Sequence, residues 1–394
     1  MKIGLYLGVN FTSGGMYQYA HTVLEGLVAL SENDPEIKIE VAYSKNSGWN
    51  ETLTSLGLKG NPLEAQSIGE IMANALMAML IPAGISKVIT KNFNPLSKEL
   101  ISYGCDIWLF PAQEALAYQL PAPTISTIHD LMHRYQPNFP EVKSFFRYYI
   151  REHRFYNLCR NTHAVLTDSV IGRQHVIESY SGRPENIHVL PYITPSYIKA
   201  ASPNIEFEKL YRLPRKYIFY PAQFWLHKNH LKLLDAVNIV KRKYDDIQLV
   251  LSGAKRNNFT LIKKYSDNLG LDTNVSFVGY VPNSDISEFY KNAVALVMPT
   301  YFGPTNIPPL EAMAMACPVL ISNLYSMPDQ CGDAGLYFDP DSAEDIAEKI
   351  MEIWGSDTLR MQLSDNAKKQ SALYQQDNFN INLGQIMGII SANL

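Results

Sequence analysis

Short apolar runs rich in β-branched and aromatic residues alternate with helical patterns along most of this chain, and they do so in two sets. In the first, KIGLYLGV (Lys2–Val9), KIEVAYS (Lys38–Ser44), DIWLFPA (Asp106–Ala112), PTISTIHD (Pro123–Asp130) and HAVLTDS (His163–Ser169) read as strands. MYQYAHTVLEGLVAL (Met16–Leu30) reads as an amphipathic helix. The second set has YIFYPA, IQLVLSG, VSFVGY, ALVMPT, PVLIS and AGLYF, with helical HLKLLDAVNIVKRKY and SAEDIAEKIMEIW among them. Strand–helix alternation of this kind gives parallel sheets covered by helices, an α/β class. With 394 residues the chain is long enough for two such domains.

Between the sets lies LPYITPSYIKAASPNIEF, Leu190 to Phe207, with three prolines and little periodicity. It reads as a linker at about 190–207. The expected domains are 1–195 and 205–374, with a C-terminal helix at about 375–394 free to pack back on the first. The expected architecture is two Rossmann-like domains with parallel sheets facing a central cleft. In open α/β sheets ligands lie beyond the carboxyl ends of the strands, so the informative residues should follow strands.

Net charge is −4, which gives no reason to expect nucleic acid as a partner. The four cysteines, Cys105, Cys159, Cys317 and Cys331, lack CxxC spacing. A disulfide framework or zinc site is not expected, and a reducing cytoplasm fits. MKIGLYLGV reads as a first strand rather than a signal peptide. IMANALMAMLIPAGI, Ile71 to Ile85, is short for a membrane span, which takes about 20 residues. It reads as a buried or groove-lining helix, or as one lying on a lipid surface.

Several residues after strands could carry chemistry. Gly14 and Gly15 precede a helix, where backbone N–H groups and the helix dipole favour an anion. A plain βα turn explains them equally well. His129 and Asp130 follow a strand, and a histidine there can donate to a substrate or be merely structural. Lys228 lies at or near a helix N-terminus, against the macrodipole. An anion such as a phosphate would resolve that conflict; a flexible surface lysine is the alternative.

PTYFGPTNIPPLEAMAMACPV, Pro299 to Val319, places a loop after a strand and then a helix behind two prolines. Glu311 is expected in that helix's first turn. It is either a favourable charge on the dipole or an acceptor for two ribose hydroxyls. Thr305 and Asn306 offer polar groups to a sugar or phosphate. The DPD of Asp339 to Asp341 resembles a metal motif, but Asp341 with Glu344 suggests a capping-box-like helix start. No metal site is expected.

These segments together resemble a retaining glycosyltransferase of GT-B fold, in the large glycosyl transferases group 1 family of bacterial mannosyl-, rhamnosyl- and glucosyltransferases. The specific matches are YPAQFWLHKNHLKLLDA, VSFVGYVPNSDISEFYKNA and the long stretch from Pro299 to Pro340, supported by SGGMYQYA and TIHDL. The resemblance implies that Gly14 and Gly15 lie against donor phosphates, that His129 faces the transferred sugar, and that Lys228 binds the diphosphate. Glu311 would take the ribose, Tyr280 and Val281 would border the base, and Thr305, Asn306, Ile307 and Gln223 would line the donor site. The family needs no metal or other cofactor. Its implied partners are a GDP-, UDP- or dTDP-sugar and a glycan or lipid-linked acceptor, in O-antigen or capsule-type polysaccharide assembly. The chain departs from the pattern at three places. Gly303 stands where a first glutamate is usual, Gln223 where an arginine is usual, and Ala316 where a glycine is common. Those departures keep two alternatives open: a non-catalytic sugar-nucleotide-binding subunit, and a GT-B epimerase or phosphorylase.

On the acceptor side, FRYYIREHRFYNLCR (Phe146–Arg160) sets Arg147, Arg151 and Arg154 at helical spacing on one face. Either this is a solvated basic face with its aromatics in the core, or it meets an anionic bilayer or a lipid diphosphate. A cytoplasmic protein with peripheral contact at the inner membrane face would result from the second.

Overall fold

The structure is a computed structural model that describes residues 1–64, 81–200 and 207–394. Residues 71–80 of the apolar stretch therefore lie outside the described residues.

The chain forms two compact units. The first comprises residues 1–135, 144–191 and 376–394; the second comprises 136–143 and 192–375. In the first unit, strands β1 (Lys2–Leu7), β2 (Lys38–Ser44), β3 (Asn61–Leu63), β4 (Ile107–Leu109), β5 (Thr124–Thr127), β6 (Ala164–Thr167) and β7 (Ile187–Val189) form one sheet. Its order is β3-β2-β1-β4-β5-β6-β7, with every pairing parallel. In the second unit, β8 (Ile218–Pro221), β9 (Leu249–Ser252), β10 (Val275–Gly279), β11 (Ala295–Met298), β12 (Val319–Ser322) and β13 (Gly335–Phe338) form a six-stranded parallel sheet. Its order is β10-β9-β8-β11-β12-β13. The central strands β11 and β12 are buried at every position. Burial on both faces is why such strands read as continuous apolar runs rather than alternating ones.

The helices that matter below are α1 (Gly15–Asn33), α2 (Phe145–Asn161), α3 (Tyr197–Ala200), α4 (His230–Lys241), α5 (Asn283–Asn292), α6 (Ile307–Ala314) and α7 (Ala343–Gly355). The last helix, Gln376–Ser391, packs on α1 in the first unit. A Cβ on Gly26 of α1 would stand 2.9 Å from a Leu383 methyl, so the absent side chain is what lets the two helices approach.

Two local readings need correction. The 190–207 segment is not only a linker: Tyr192–Ala200 belongs to the second unit and carries α3, with Ile198 in that unit's core. The start of α7 is capped by Ser342, whose hydroxyl accepts from Asp345 N at 3.1 Å, rather than by Asp341 with Glu344. Asp341 instead accepts from the Tyr301 hydroxyl at 2.6 Å. Ser342 is the cap because it immediately precedes the first helical residue, Ala343, where a side-chain oxygen reaches an orphan N–H of the first turn.

Candidate functional site

In each sheet the strand order reverses once, between β1 and β4 and between β8 and β11. Such a reversal leaves the connections diverging to opposite faces, which opens a crevice at the carboxyl ends. In the second unit that crevice is bordered by the loop after β8, residues 222–229, and the loop after β11, residues 299–306. The two loops are joined: Tyr301 N–H donates to the His227 carbonyl at 2.9 Å, and the His227 and Phe302 rings stack at 4.0 Å.

Lys228 is half-buried and ends a short 3-10 turn, Leu226–Lys228. Asn229 then takes a left-handed conformation, φ 60°, and α4 begins at His230. The lysine therefore precedes the helix rather than standing in it, and its backbone carbonyl accepts from the Tyr220 hydroxyl at 2.9 Å. Its charge helps hold the neighbouring histidines neutral. Burial, and then Lys228, push His230 down to about 3. Both His230 ring nitrogens are buried without a hydrogen-bond partner. Gln223 is exposed, and its carbonyl accepts from the Trp225 indole at 2.8 Å.

Glu311 is not in the first turn of α6. The helix starts at Ile307, so Pro308 and Pro309 fill the first turn and Glu311 falls in the second. Proline suits those positions because their N–H groups would be orphans anyway. The carboxylate is 5% exposed and does not face the helix end. One oxygen accepts from Tyr197 of α3 and the other from Tyr290 of α5, the latter at 2.6 Å. Burial pushes its pKa up, and the two phenols pull it back. The Tyr197 phenol is itself pushed up by burial and by Glu311, with a smaller contribution from Tyr280. Tyr280, 72% exposed after β10, is thus within electrostatic reach of the Glu311 cluster. Its neighbour Val281 is buried in the unit's core.

The 299–306 loop is braced from behind. Asn306 N–H donates to the Gln330 carbonyl oxygen at 3.1 Å, and the Gln330 amide donates to the Asn306 carbonyl at 2.7 Å. The Asn306 side-chain amide donates to Phe302 O at 3.3 Å. Thr305 and Ile307 are half-buried on either side. Gly303 has φ +92°, and a Cβ there would lie 2.7 Å from the Thr305 carbonyl oxygen. A glutamate at this position needs a different loop.

Residues 136–143, a strap from the sequence of the other set, close one side. Phe139 packs on Tyr301 and Phe302, with ring centroids 5.1 and 5.3 Å away. Glu141 accepts from Leu226 N at 2.8 Å. A cavity of about 500 Å³ opens beside the strap, lined among others by Asn138, Phe139, Trp225, His230, Tyr301 and Asp341. Sequence reasoning missed Tyr197, Tyr290, Gln330 and this strap. Tyr290, within the recognised VSFVGYVPNSDISEFYKNA segment, and Gln330, within the recognised stretch from Pro299 to Pro340, carried a signal; Tyr197 and the strap did not.

In the first unit, Gly14 has φ +58° and open space where a Cβ would be, and no side chain caps α1. His129 is 5% exposed, with Nε2 3.1 Å from the Pro111 carbonyl and the Tyr19 ring edge-on at 5.0 Å. Burial pushes its pKa down to about 4, so it is neutral at pH 7. The arginines do not form a solvated face. Arg147 is exposed and Arg151 half-buried, while burial lowers the pKa of Arg154, whose guanidinium donates to Gln113 O at 3.4 Å. The exposed stripe is aromatic instead: Phe145 is 87%, Tyr149 49% and Tyr156 47% exposed.

Residues 202–370 match the family described as glycosyl transferases group 1. The matched residues lie within the second unit. The chain is 36% identical over 86 residues to O-antigen chain mannosyltransferase B of Escherichia coli, covering 22% of this chain and 23% of the relative. It is 23% identical over 227 residues to the O-antigen chain mannosyltransferase RfbU of Salmonella typhimurium, 58% of this chain and 60% of the relative. The matched regions thus span under two thirds of each relative. The fold matches that of the Anabaena protein Alr3699/HepE, solved with UDP-glucose, at TM-score 0.72 and 15% identity over 100% of both chains. Both units therefore have the sheet architecture of the GT-B fold. Among the described residues no helix is long and apolar enough to cross a membrane.

Proposed function

We propose that this protein is a retaining glycosyltransferase that moves a hexose from a nucleotide-sugar to a glycan or lipid-linked acceptor in bacterial surface polysaccharide assembly. The observation that carries this reading is the β8/β11 crevice, where Lys228, the 299–306 loop and Glu311 come from the segment that matches the family. Two relatives named as O-antigen mannosyltransferases make a mannosyl donor the first to try.

In the proposed reaction the bond from the sugar's anomeric carbon to the diphosphate oxygen breaks, and its electron pair leaves on that oxygen. The acceptor hydroxyl bonds to the anomeric carbon on the same face. Its proton passes to a diphosphate oxygen, so no side-chain base is required. Lys228, the Gly14–Gly15 amides and the loop ahead of Glu311 are proposed to stabilise the leaving charge, which preorganised donors can do without a metal. His129 is proposed to face the transferred sugar; in the neutral ring the one N–H, on Nε2, donates to the Pro111 carbonyl, so toward a sugar hydroxyl Nδ1 can act only as an acceptor. Glu311 takes the ribose, and Tyr280 borders the base.

The aromatic stripe of α2 favours a peripheral membrane contact for the acceptor step. Aromatic side chains partition to the headgroup level, Lys143 just ahead of the helix is exposed, and the exposed Arg160 lies over the Tyr156 ring.

Incubating the purified protein with UDP-, GDP- and dTDP-sugars tests the reading, with free nucleoside diphosphate and glycoside as readouts and EDTA in a parallel arm. Transfer with the anomeric configuration kept, insensitive to EDTA, is expected. Nucleotide binding without turnover would favour the non-catalytic subunit. Inverted product or dependence on a divalent ion would overturn the mechanism.

A further inference from the structure

The Glu311 cluster poses a question that a ribose alone does not answer. A carboxylate with both oxygens buried is costly to ionise, and the usual remedy is an arginine or lysine. Here the remedy is two neutral phenols, one from α3 and one from α5. Tyr280 lies within electrostatic reach of Tyr197, and Cys317 within that of Tyr290. A cation would quench the carboxylate and compete with any ligand. Neutral O–H donors stabilise the charge and leave it available. An ionised carboxylate offers about four lone-pair sites. The two tyrosines occupy one on each oxygen, and the two that remain match a vicinal diol, which brings two donors.

We propose that Tyr197 and Tyr290 are positioning residues for the nucleotide ribose, holding Glu311 as an oriented acceptor that discriminates a ribose from a deoxyribose. The inference rests on the reading of Glu311 as the ribose acceptor. It adds that the acceptor is assembled from three elements, one of them in the segment between the two strand sets. Without Tyr197 the buried carboxyl keeps fewer hydrogen bonds to its charged form. It protonates more readily and turns from acceptor to donor. The sign follows: a variant lacking the hydroxyl should lose ribonucleotide affinity as pH falls and regain it as pH rises and the carboxyl ionises.

The experiment is calorimetric binding of UDP and dUDP, and of GDP and dGDP, between pH 6 and 8.5. The proteins are wild type, Tyr197→Phe, Tyr290→Phe and Glu311→Gln. The wild type is expected to favour the ribo form of its base about tenfold or more, the size of one hydrogen bond to a charged group. Glu311→Gln should lose that preference at every pH. Tyr197→Phe should lose more of it at the acid end of this range than at the alkaline end, with affinity for the deoxy form unchanged throughout. Tyr290→Phe should do the same, and provides the second variant if one of them folds poorly. If both Phe variants keep the full preference while Glu311→Gln loses it, the tyrosines do not position the carboxylate and the inference falls alone. Equal weakening of ribo and deoxy forms, flat with pH, would show a merely structural role and also overturn it. A wild type that binds both forms alike would remove the ribose reading of Glu311 and this inference with it.

Discussion

Lys228 and the three family departures differ in how far they act on chemistry or on backbone. Lys228→Ala should lower turnover by about 10²–10³, the effect of removing one preorganised donor from a leaving group, while shifting the melting temperature little. Initial-rate kinetics beside a thermal melt check this; near wild-type turnover would make it a surface lysine. Gly303 and Ala316 are backbone matters and should respond in opposite directions. Gly303 sits at φ +92° against the Thr305 carbonyl, so Gly303→Glu, which restores the usual family residue, should cost about 1–3 kcal/mol. Ala316 has φ +58° in the turn that ends α6. Ala316 N–H donates to Met313 O at 3.0 Å and Cys317 N–H to Ala312 O at 2.9 Å, the paired bonds of a glycine-favouring helix stop. Ala316→Gly should therefore stabilise the fold by about 0.5–1 kcal/mol, the relief of left-handed strain less the entropy of a glycine. Denaturant midpoints for the two variants should move to opposite sides of wild type.

Helix α2 shows how a periodicity can be read correctly and assigned to the wrong side. Arg147, Arg151 and Arg154 do share a face, but its inner part touches the unit. Phe145, Tyr149 and Tyr156 fall within roughly 40° of one another at 3.6 residues per turn, and they look outward. Only Phe155, Asn157 and Leu158 are buried, all in the second half of the helix, so the first half has little to bury against. Composition cannot reveal that. Aromatic residues are usually core, and the rule fails where a helix outruns its packing surface. If the stripe meets lipid, vesicles with anionic headgroups should sediment the wild type. Changing Phe145, Tyr149 and Tyr156 together to Ser should abolish sedimentation, while Arg154→Gln should change it little. High salt should weaken but not abolish binding, because the apolar part is unscreened. A triple variant that still sediments would return the stripe to the solvent. The Glu311 cluster was hidden for a different reason: its partner Tyr197 lies in a proline-rich stretch that reads as linker, and no local pattern marks a contact made 114 positions away.

Much of the two-unit α/β architecture was legible because parallel strands buried on both faces leave long apolar signatures. β3 and β7 were not. Each is three residues at a sheet edge, and β3 contains Pro62, which removes a donor and is tolerated only at an edge. Long-range closure was also beyond local pattern, and the last helix illustrates it. Its Phe379, Leu383, Met387 and Ile390 are buried, and it belongs with the unit built mainly from the first half of the sequence. The first unit therefore completes its core only when the last residues of the chain arrive. Gly26 meets Leu383 and Phe379, while a Cβ on Gly384 would stand 3.1 Å from a Leu30 methyl, so glycines on both helices allow the close approach. Leu383 is fully buried, and Leu383→Ala removes its methyls from a site that helix rigidity prevents from collapsing. The expected cost is about 2–5 kcal/mol. Gly26→Leu should destabilise through overpacking at the same contact, by about 1–3 kcal/mol, although it adds apolar volume. Urea unfolding of both variants checks this. Because the two positions touch, the double variant should not show the sum of the single losses, since the added leucine can fill the space left by the removed one. Strict additivity would mean that the two helices do not share the contact, and that the C-terminal helix stabilises the chain by some other route.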